Sequence, residues 1–335
     1  MSVGPLVTIV TPAYNRADLL VETIESVLAQ DYPRVELIVL DDGSTDHTPE
    51  VLARYAGRLR AYAHANMGES RTVNRGFSLA AGEVVGVLSS DDTLEPHAVR
   101  AAVERLEAAP ALVGVYGDWA LMDLAGRPCG HVTAPEFDLG RMVAGFMNFP
   151  AGPGAFFRRR VLEVVQGRDP AFRYIADFDF WLRVALTGPL ARVPSTVARY
   201  RVHGAQATLA EAGLAMAAEY LRLADKFFAM PDLPAAVREL EAPARSCAYL
   251  QAATACGFSR ATWLPRLRYN LLALGQCPRD DPPALLWRAA LLARSALGPA
   301  VGPLDTALRR ARDRLADRSP RLRRVVLRLR ARDRR

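Results

Sequence analysis

Hydrophobic positions along the first hundred residues switch between two spacings. Val7 to Val10 and Val35 to Leu40 are short β-branched apolar runs, and between them Leu20, Ile24, Val27 and Leu28 fall on one helical face. This predicts β-α-β. Thr48 followed by Pro49 predicts a helix start, with Val51, Leu52 and Tyr55 on its buried side, before a strand at Leu59 to Tyr62. A helix over 70–81 ending at Gly82, a strand at Val84 to Leu88, a polar acidic turn and a helix over 96–108 continue the alternation. That last helix puts Ala98, Val99, Ala102, Val103 and Leu106 on its inner face.

Such alternation implies a largely parallel sheet covered by helices on both faces, whose ligands sit beyond the carboxyl ends of the strands. Past Tyr116 the rhythm loosens into a hairpin turning at 123–126 and a Pro/Gly-rich stretch at 150–154, so the second half of the sheet is expected to be mixed. From about Leu209 onward the pattern is helical and punctuated by Pro231, Pro234, Pro265, Pro282, Pro283, Pro299 and Pro320. We therefore expect an α/β domain over 1–208 and a helical extension over 209–335.

Half of the 335 residues are hydrophobic, ample for a packed core and incompatible with low-complexity disorder as the main state. The first residues carry neither a basic leader nor a long apolar run, and the apolar stretch 284–304 is interrupted by Arg288, Arg294, Pro299 and Pro303. A cytoplasmic protein is expected, and Cys129, Cys247, Cys256 and Cys277 are too scattered to suggest a zinc site or a disulfide framework. The net charge of +7 is concentrated in the tail. There Leu322, Val325, Val326 and Leu329 share a helical face while Arg321, Arg324, Arg328 and Arg332 supply charge, a pattern suited to a solvated face or to peripheral attachment at an anionic membrane surface.

Two strands end in paired carboxylates, Asp41-Asp42-Gly43-Ser44 and Ser89-Ser90-Asp91-Asp92. Adjacent carboxylates repel, and a hard divalent cation relieves the repulsion while recruiting phosphate oxygens. Either pair alone would read equally well as a turn or helix cap; both at equivalent topological places point to a site. No GxGxxG follows the first strand and no GxxxxGK[ST] occurs anywhere.

The segments TPAYNR at 11–16, LDDGSTD at 40–46, NMGESRTVNRGF at 66–77 and AAGEVVGVLSSDD at 80–92 resemble the family-2 glycosyltransferases. VYGDWALMDLAG at 115–126, FFRRRVLE at 156–163, ADFDFWLRV at 176–184 and ARYRVHGAQAT at 198–208 continue the resemblance in the family's order, over about two-thirds of the chain. The resemblance implies a GT-A fold, a Rossmann-like mixed and mostly parallel sheet flanked by helices. It also implies an inverting, non-processive transfer of one sugar from a nucleotide diphosphate-sugar, with UDP- or dTDP-sugars favoured.

Carried over residue by residue, Pro12 and Tyr14 resemble the donor-binding loop, with Tyr14 stacking on the base and Asp42 hydrogen-bonding it. Arg71 is placed on the donor-side helix, facing Asp91 or a phosphate. Asp91 is expected near the ribose, Asp92 on a divalent cation, Mn2+ or Mg2+, and His203 at that cation or the diphosphate. Asp177 stands where the family keeps its general base, with helix capping as its other reading and Asp179 as the nearby rival.

The chain departs from the family pattern at Ala176, where many members are acidic, and at Val73, where a large subset carries arginine. The QxxRW segment of processive synthases does not follow Asp177. The resemblance further implies a glycan or lipid-linked acceptor in surface-glycan assembly, with no nucleic acid as partner. Two rivals remain at this level. A sugar-phosphate nucleotidyltransferase shares the sheet and the carboxylates, but its glycine-rich N-terminal signature is missing. A non-catalytic scaffold or nucleic-acid binder using the basic tail leaves the carboxylates unexplained.

Overall fold

The computed structural model describes residues 4–150, 152–203, 213–257, 262–276 and 282–296. The amphipathic tail with Leu322, Val325, Val326 and Leu329 lies outside the described residues. Contacts divide the chain into two compact units, Met1–Ala212 with Arg222–Ala244, and Gly213–Leu221 with Arg245–Arg335.

The first unit is built on a nine-stranded sheet. β1 (Val7–Ala13), β2 (Val35–Asp41), β3 (Arg60–Ala63) and β4 (Val84–Val87) run parallel to one another, in the order β3-β2-β1-β4. β1 is buried along its whole length, so a β-branched, largely apolar run rather than an alternating one is what this central position demands. α1 (Ala17–Leu28) buries Leu20, Thr23, Ile24 and Val27, three of them from the apolar face read in the sequence. α2 (Thr48–Ala53) takes Thr48 as its first residue instead of its cap, and the Asp46 carboxylate receives the Thr48 N–H. α3 (Glu69–Leu79) lies directly against the sheet at Gly76, where any side chain would collide with Val10.

Beyond β4 the sheet becomes mixed. β5 (Thr93–Leu94) precedes α4 (Ala98–Glu107), β6 (Gly114–Met122) and β7 (Pro128–Val132) form the hairpin, and α5 (Leu139–Ala144) leads to β8 (Phe156–Arg158). β8 is antiparallel to both β4 and β6. A short α6 (Leu162–Val165) and α7 (Ala176–Thr187) follow, then the twelve-residue β9 (Leu190–Arg201), parallel to β6. The two-residue β5, which hydrophobic spacing cannot announce, matters most. It pairs antiparallel with β9, Thr93 opposite Arg199 and Leu94 opposite Ala198, and so brings the acidic turn at 89–92 beside the end of β9.

In the second unit, the part of helix Glu241–Ala255 from Arg245 onward buries Ala248, Ala252 and Ala253, helix Trp263–Gly275 buries Arg266, Asn270 and Ala273, and helix Pro282–Ala296 buries Arg288 and Ser295. Ala217, Ala252 and Cys256 form a buried cluster with Leu221, Ala255 and Tyr269 packed on it. Arg266, buried, donates to the carbonyls of Ala253 and Gly257 and so satisfies the carboxyl end of the preceding helix. Pro282 opens its helix, where a missing N–H costs nothing. Among the described residues no helix is long and apolar enough to cross a membrane.

Candidate active site

Two turns at the carboxyl ends of β1 and β2 are laced together by their own polar groups. Asn15 adopts a left-handed backbone (φ 52°), its N–H donates to Ser44 Oγ at 2.9 Å, and its Oδ1 accepts the Thr45 N–H at 2.8 Å. Arg16 N–H donates to Thr48 Oγ1, and Asp46 receives the Ala17 N–H. Gly43 has φ +76°, and a Cβ there would sit 2.7 Å from the Asn66 nitrogen, so only glycine lets these loops meet. Pro12 is buried in β1, and two residues on Tyr14 turns outward, 47% exposed.

Asp42 is buried, and its two oxygens accept the N–H groups of Met67 at 2.8 Å and Gly68 at 3.0 Å. His64 Nε2 lies 3.3 Å from Asp42 Oδ1 and 3.1 Å from Thr72 Oγ1. The carboxylate therefore fixes the loop that enters α3, and an ionised carboxylate with about four acceptor positions retains capacity for one further donor. Arg71 is exposed on α3 and pairs with no described carboxylate, Asp91 included. Arg16 takes that place, its Nε 3.8 Å from Asp91 Oδ2. Val73 belongs to the buried stripe of α3.

Asp91 and Asp92 point different ways. Asp91 Oδ2 meets His203 Nε2 at 3.1 Å. Asp92 is 2% exposed, its Oδ1 accepts the backbone N–H of Arg201 at 2.8 Å, and its carbonyl accepts from Thr23 Oγ1. Burial and then the neighbouring Asp91 charge push the Asp92 carboxyl well above the usual carboxylate range. The guanidinium of Arg201, fully buried, holds the whole corner. It donates to the Asp91 carbonyl at 2.9 Å and the Leu124 carbonyl at 3.0 Å and pairs with Glu22. Arg201 thus anchors the acidic turn, and His203, two residues further, is set against Asp91.

Asp177 lies in the first turn of α7, whose N-cap is Ile175 with no side-chain cap. Asp177 is therefore not the cap. Its Oδ2 accepts from Asn148 Nδ2 at 2.9 Å. The residue keeps a partly exposed face in a closely packed setting, and desolvation pushes its carboxyl up. Arg168 and the Phe178 backbone oppose that rise, and Glu69 adds to it.

Asp179 has a different task. It is 1% exposed and bound by Arg183 and by Lys226 Nζ at 2.6 Å, while Arg183 also donates to the carbonyls of Val165 and Gly167. Its oxygens are spent on joining α7 to neighbouring segments. Spacing offered no signal for His64, Arg16, Arg201, Asn148 or Arg168, all of which lie distant in sequence from the carboxylates they serve.

Residues 8–165 match the family described as Glycosyl transferase family 2. An uncharacterized glycosyltransferase of Nostoc sp. is 30% identical over 239 residues, which span 64% of this chain and 74% of that protein. The chondroitin synthase of Escherichia coli is 28% identical over 60% of this chain, and the match spans only 29% of that enzyme. The hyaluronan synthase of Pasteurella multocida gives 28% over 63% of this chain and 22% of its own length.

Among solved structures, S. aureus TarS 1–349 in complex with UDP-GlcNAc superimposes with a TM-score of 0.63 at 16% identity, covering 87% of this chain and 89% of that one. A Pyrobaculum calidifontis mannosyltransferase in complex with GDP-Man and Mn2+ gives 0.56 at 20% identity, covering 89% of this chain and 87% of that one. The fold is that of a GT-A glycosyltransferase. The chain belongs to glycosyl transferase family 2.

Proposed function

We propose that this glycosyltransferase moves one sugar, with inversion, from a nucleotide diphosphate-sugar to an acceptor hydroxyl, and that it requires a divalent cation. The observation that carries the reading is the meeting of Asp91 Oδ2 and His203 Nε2 at 3.1 Å on the acidic corner. A carboxylate oxygen and an imidazole nitrogen side by side would hold a divalent cation, Mn2+ ahead of the oxygen-preferring Mg2+. We assign the cation to Asp91 and His203 ahead of Asp92, whose Oδ1 is engaged by the Arg201 backbone N–H. When bound, the cation supplies charge neutralisation for the departing nucleotide diphosphate.

The chain's own residues do the rest. Tyr14, exposed beyond β1, offers a ring face to the donor's base, and Asp42 one remaining acceptor position to its polar edge. Asp177 takes the proton of the acceptor hydroxyl as its oxygen attacks the anomeric carbon from the face opposite the diphosphate, which inverts that carbon. No carboxylic acid partner is needed, because the diphosphate leaves as a stabilised anion. The basic Arg16, 3.8 Å from Asp91, is placed to meet phosphate oxygens.

Surface-glycan or polysaccharide assembly is the setting we favour, supported by the chondroitin, hyaluronan and succinoglycan proteins among the relatives. A UDP-sugar is the first donor to try, in keeping with the UDP-GlcNAc bound by TarS. A cytoplasmic location with a tail resting on an anionic membrane, within reach of a lipid-linked acceptor, is part of the same proposal. Vesicle cosedimentation unaffected by deleting residues 320–335 would remove the membrane from it.

The test of the whole reading is nucleotide release from a panel of nucleotide-sugars with Mn2+ or Mg2+. Release that chelator abolishes and added metal restores is expected. Full turnover in excess chelator would refute the cation.

A further inference from the structure

The segment between α5 and β8 is bent in a way that its sequence does not require for connection alone. Phe146 holds φ at +44°, a left-handed conformation that a bulky side chain adopts only where its surroundings impose it. Here they do. The ring is fully buried and packs edge-on against Phe178, centroids 5.1 Å apart, and the N–H groups of Phe146 and Met147 donate back to the carbonyls of Val143 and Met142. Phe178 is the residue after Asp177. Two residues past the bend, Asn148 Nδ2 reaches Asp177 Oδ2 at 2.9 Å.

A second observation stands apart from the bend. The other end of that amide, Asn148 Oδ1, is buried and has no hydrogen-bond partner among the described residues. An acceptor left dry is costly, and turning the amide over would be worse, because it would set Oδ1 against a carboxylate. The arrangement is kept for its donor end. We propose that Asn148 is a positioning residue for Asp177, its amide N–H fixing the orientation of the carboxylate and holding it ionised, with the strained Phe146 turn as the support.

This inference rests on Asp177 as the general base, and its test is chosen to separate the two. The charged groups facing Asp177 are Arg168, from the loop before α7, and Glu69, from the start of α3. These two pair with each other at 2.7 Å, and beside the backbone N–H groups of Phe178 and Asp177 the Asn148 amide is the side-chain hydrogen bond that favours the carboxylate.

The experiment titrates the full-length protein, with aspartate carboxyl carbons labelled and the Asp177 resonance assigned from the Asp177→Asn spectrum. Loss of a hydrogen bond to a charged group should raise the Asp177 midpoint by about one pH unit in Asn148→Ala. Asn148→Asp, which keeps the shape and adds a like charge, should raise it further and serves if the alanine variant fails to fold. An unmoved midpoint in both variants overturns the proposal.

The second arm follows manganese-dependent release of UDP from UDP-GlcNAc against pH in the wild type and Asn148→Ala. The acid limb should move upward by the same amount, with KM for the donor unchanged. A fall in rate equal at every pH marks Asn148 as merely structural and also overturns the proposal. A moved midpoint with a stationary acid limb supports the positioning contact while removing Asp177 as the base, so the two readings fail separately.

Discussion

The donor side of the first unit and the α5–α7 side hold their carboxylates by different means. On the donor side, backbone amides do most of the work. Asp42 takes the N–H groups of Met67 and Gly68, Asp46 those of Ala17 and Thr48, and Asp92 that of Arg201. On the other side, side chains hold side chains, with Asn148 on Asp177 and Arg183 with Lys226 on Asp179. Backbone donors stay in place when a single side chain is changed, whereas side-chain donors can be removed singly. The two halves should therefore fail differently when cut.

The largest effect is expected within one dipeptide. Asp91→Ala should lower metal-dependent nucleotide release by about a hundredfold or more, since the cation's charge stabilisation accounts for several kcal/mol. Asp92→Asn keeps the acceptor for the Arg201 N–H and should retain most of the activity. The reverse ranking, measured by nucleotide release at saturating Mn2+, would return the cation to Asp92. Because the Asp92 carboxyl is pushed up in the folded protein, its ionisation costs stability. That cost is absent below the ordinary aspartate value of 3.8 and accumulates as pH rises toward the raised value, so in metal-free melts Asp92→Asn should gain on wild type toward neutral pH and lose the gain in acid.

These contrasts also mark what was legible in the sequence. The β-α repeats through α4 declared themselves, because most of the strands are predominantly apolar runs and each helix shows one apolar face. The two acidic turns declared themselves as strand ends. Which of two adjacent aspartates meets His203 did not, since it depends on β5, a two-residue strand whose partner lies about a hundred residues away. The fully buried guanidinium of Arg201 was equally hidden, because arginine in a strand ordinarily reads as a surface residue. Asn148 and Arg168 reach Asp177 through folding of loops that carry no period.

A smaller effect on chemistry but a large one on stability is expected at Asp179. Removing this buried partner leaves Arg183 with the Val165 and Gly167 carbonyls and Lys226 with Asp169 at 2.7 Å, so Asp179→Ala should cost about 3 kcal/mol of unfolding free energy, the low end for a broken buried pair. Denaturant titration gives that number directly. A variant as stable as wild type would mean that the network contributes nothing and would free Asp179 for a role in the acceptor site.

Smaller again is the donor contact. Asp42→Ala should weaken nucleotide-sugar binding by about 1–3 kcal/mol, the amount for a lost hydrogen bond to a charged group with its loop support. Unchanged affinity by calorimetry would take Asp42 out of the site and leave it as a loop anchor.

The central claim is that donor binding and proton abstraction belong to separate halves of this unit. It is tested most directly by one variant measured two ways. Asp177→Asn preserves an oxygen for the Asn148 amide and removes only the proton acceptor. Transfer should fall by about 10²–10⁴ while calorimetric affinity for the donor with Mn2+ stays at the wild-type value. A folded Asp177→Asn enzyme that transfers sugar at close to the wild-type rate, or one whose donor affinity falls along with its rate, would contradict the account.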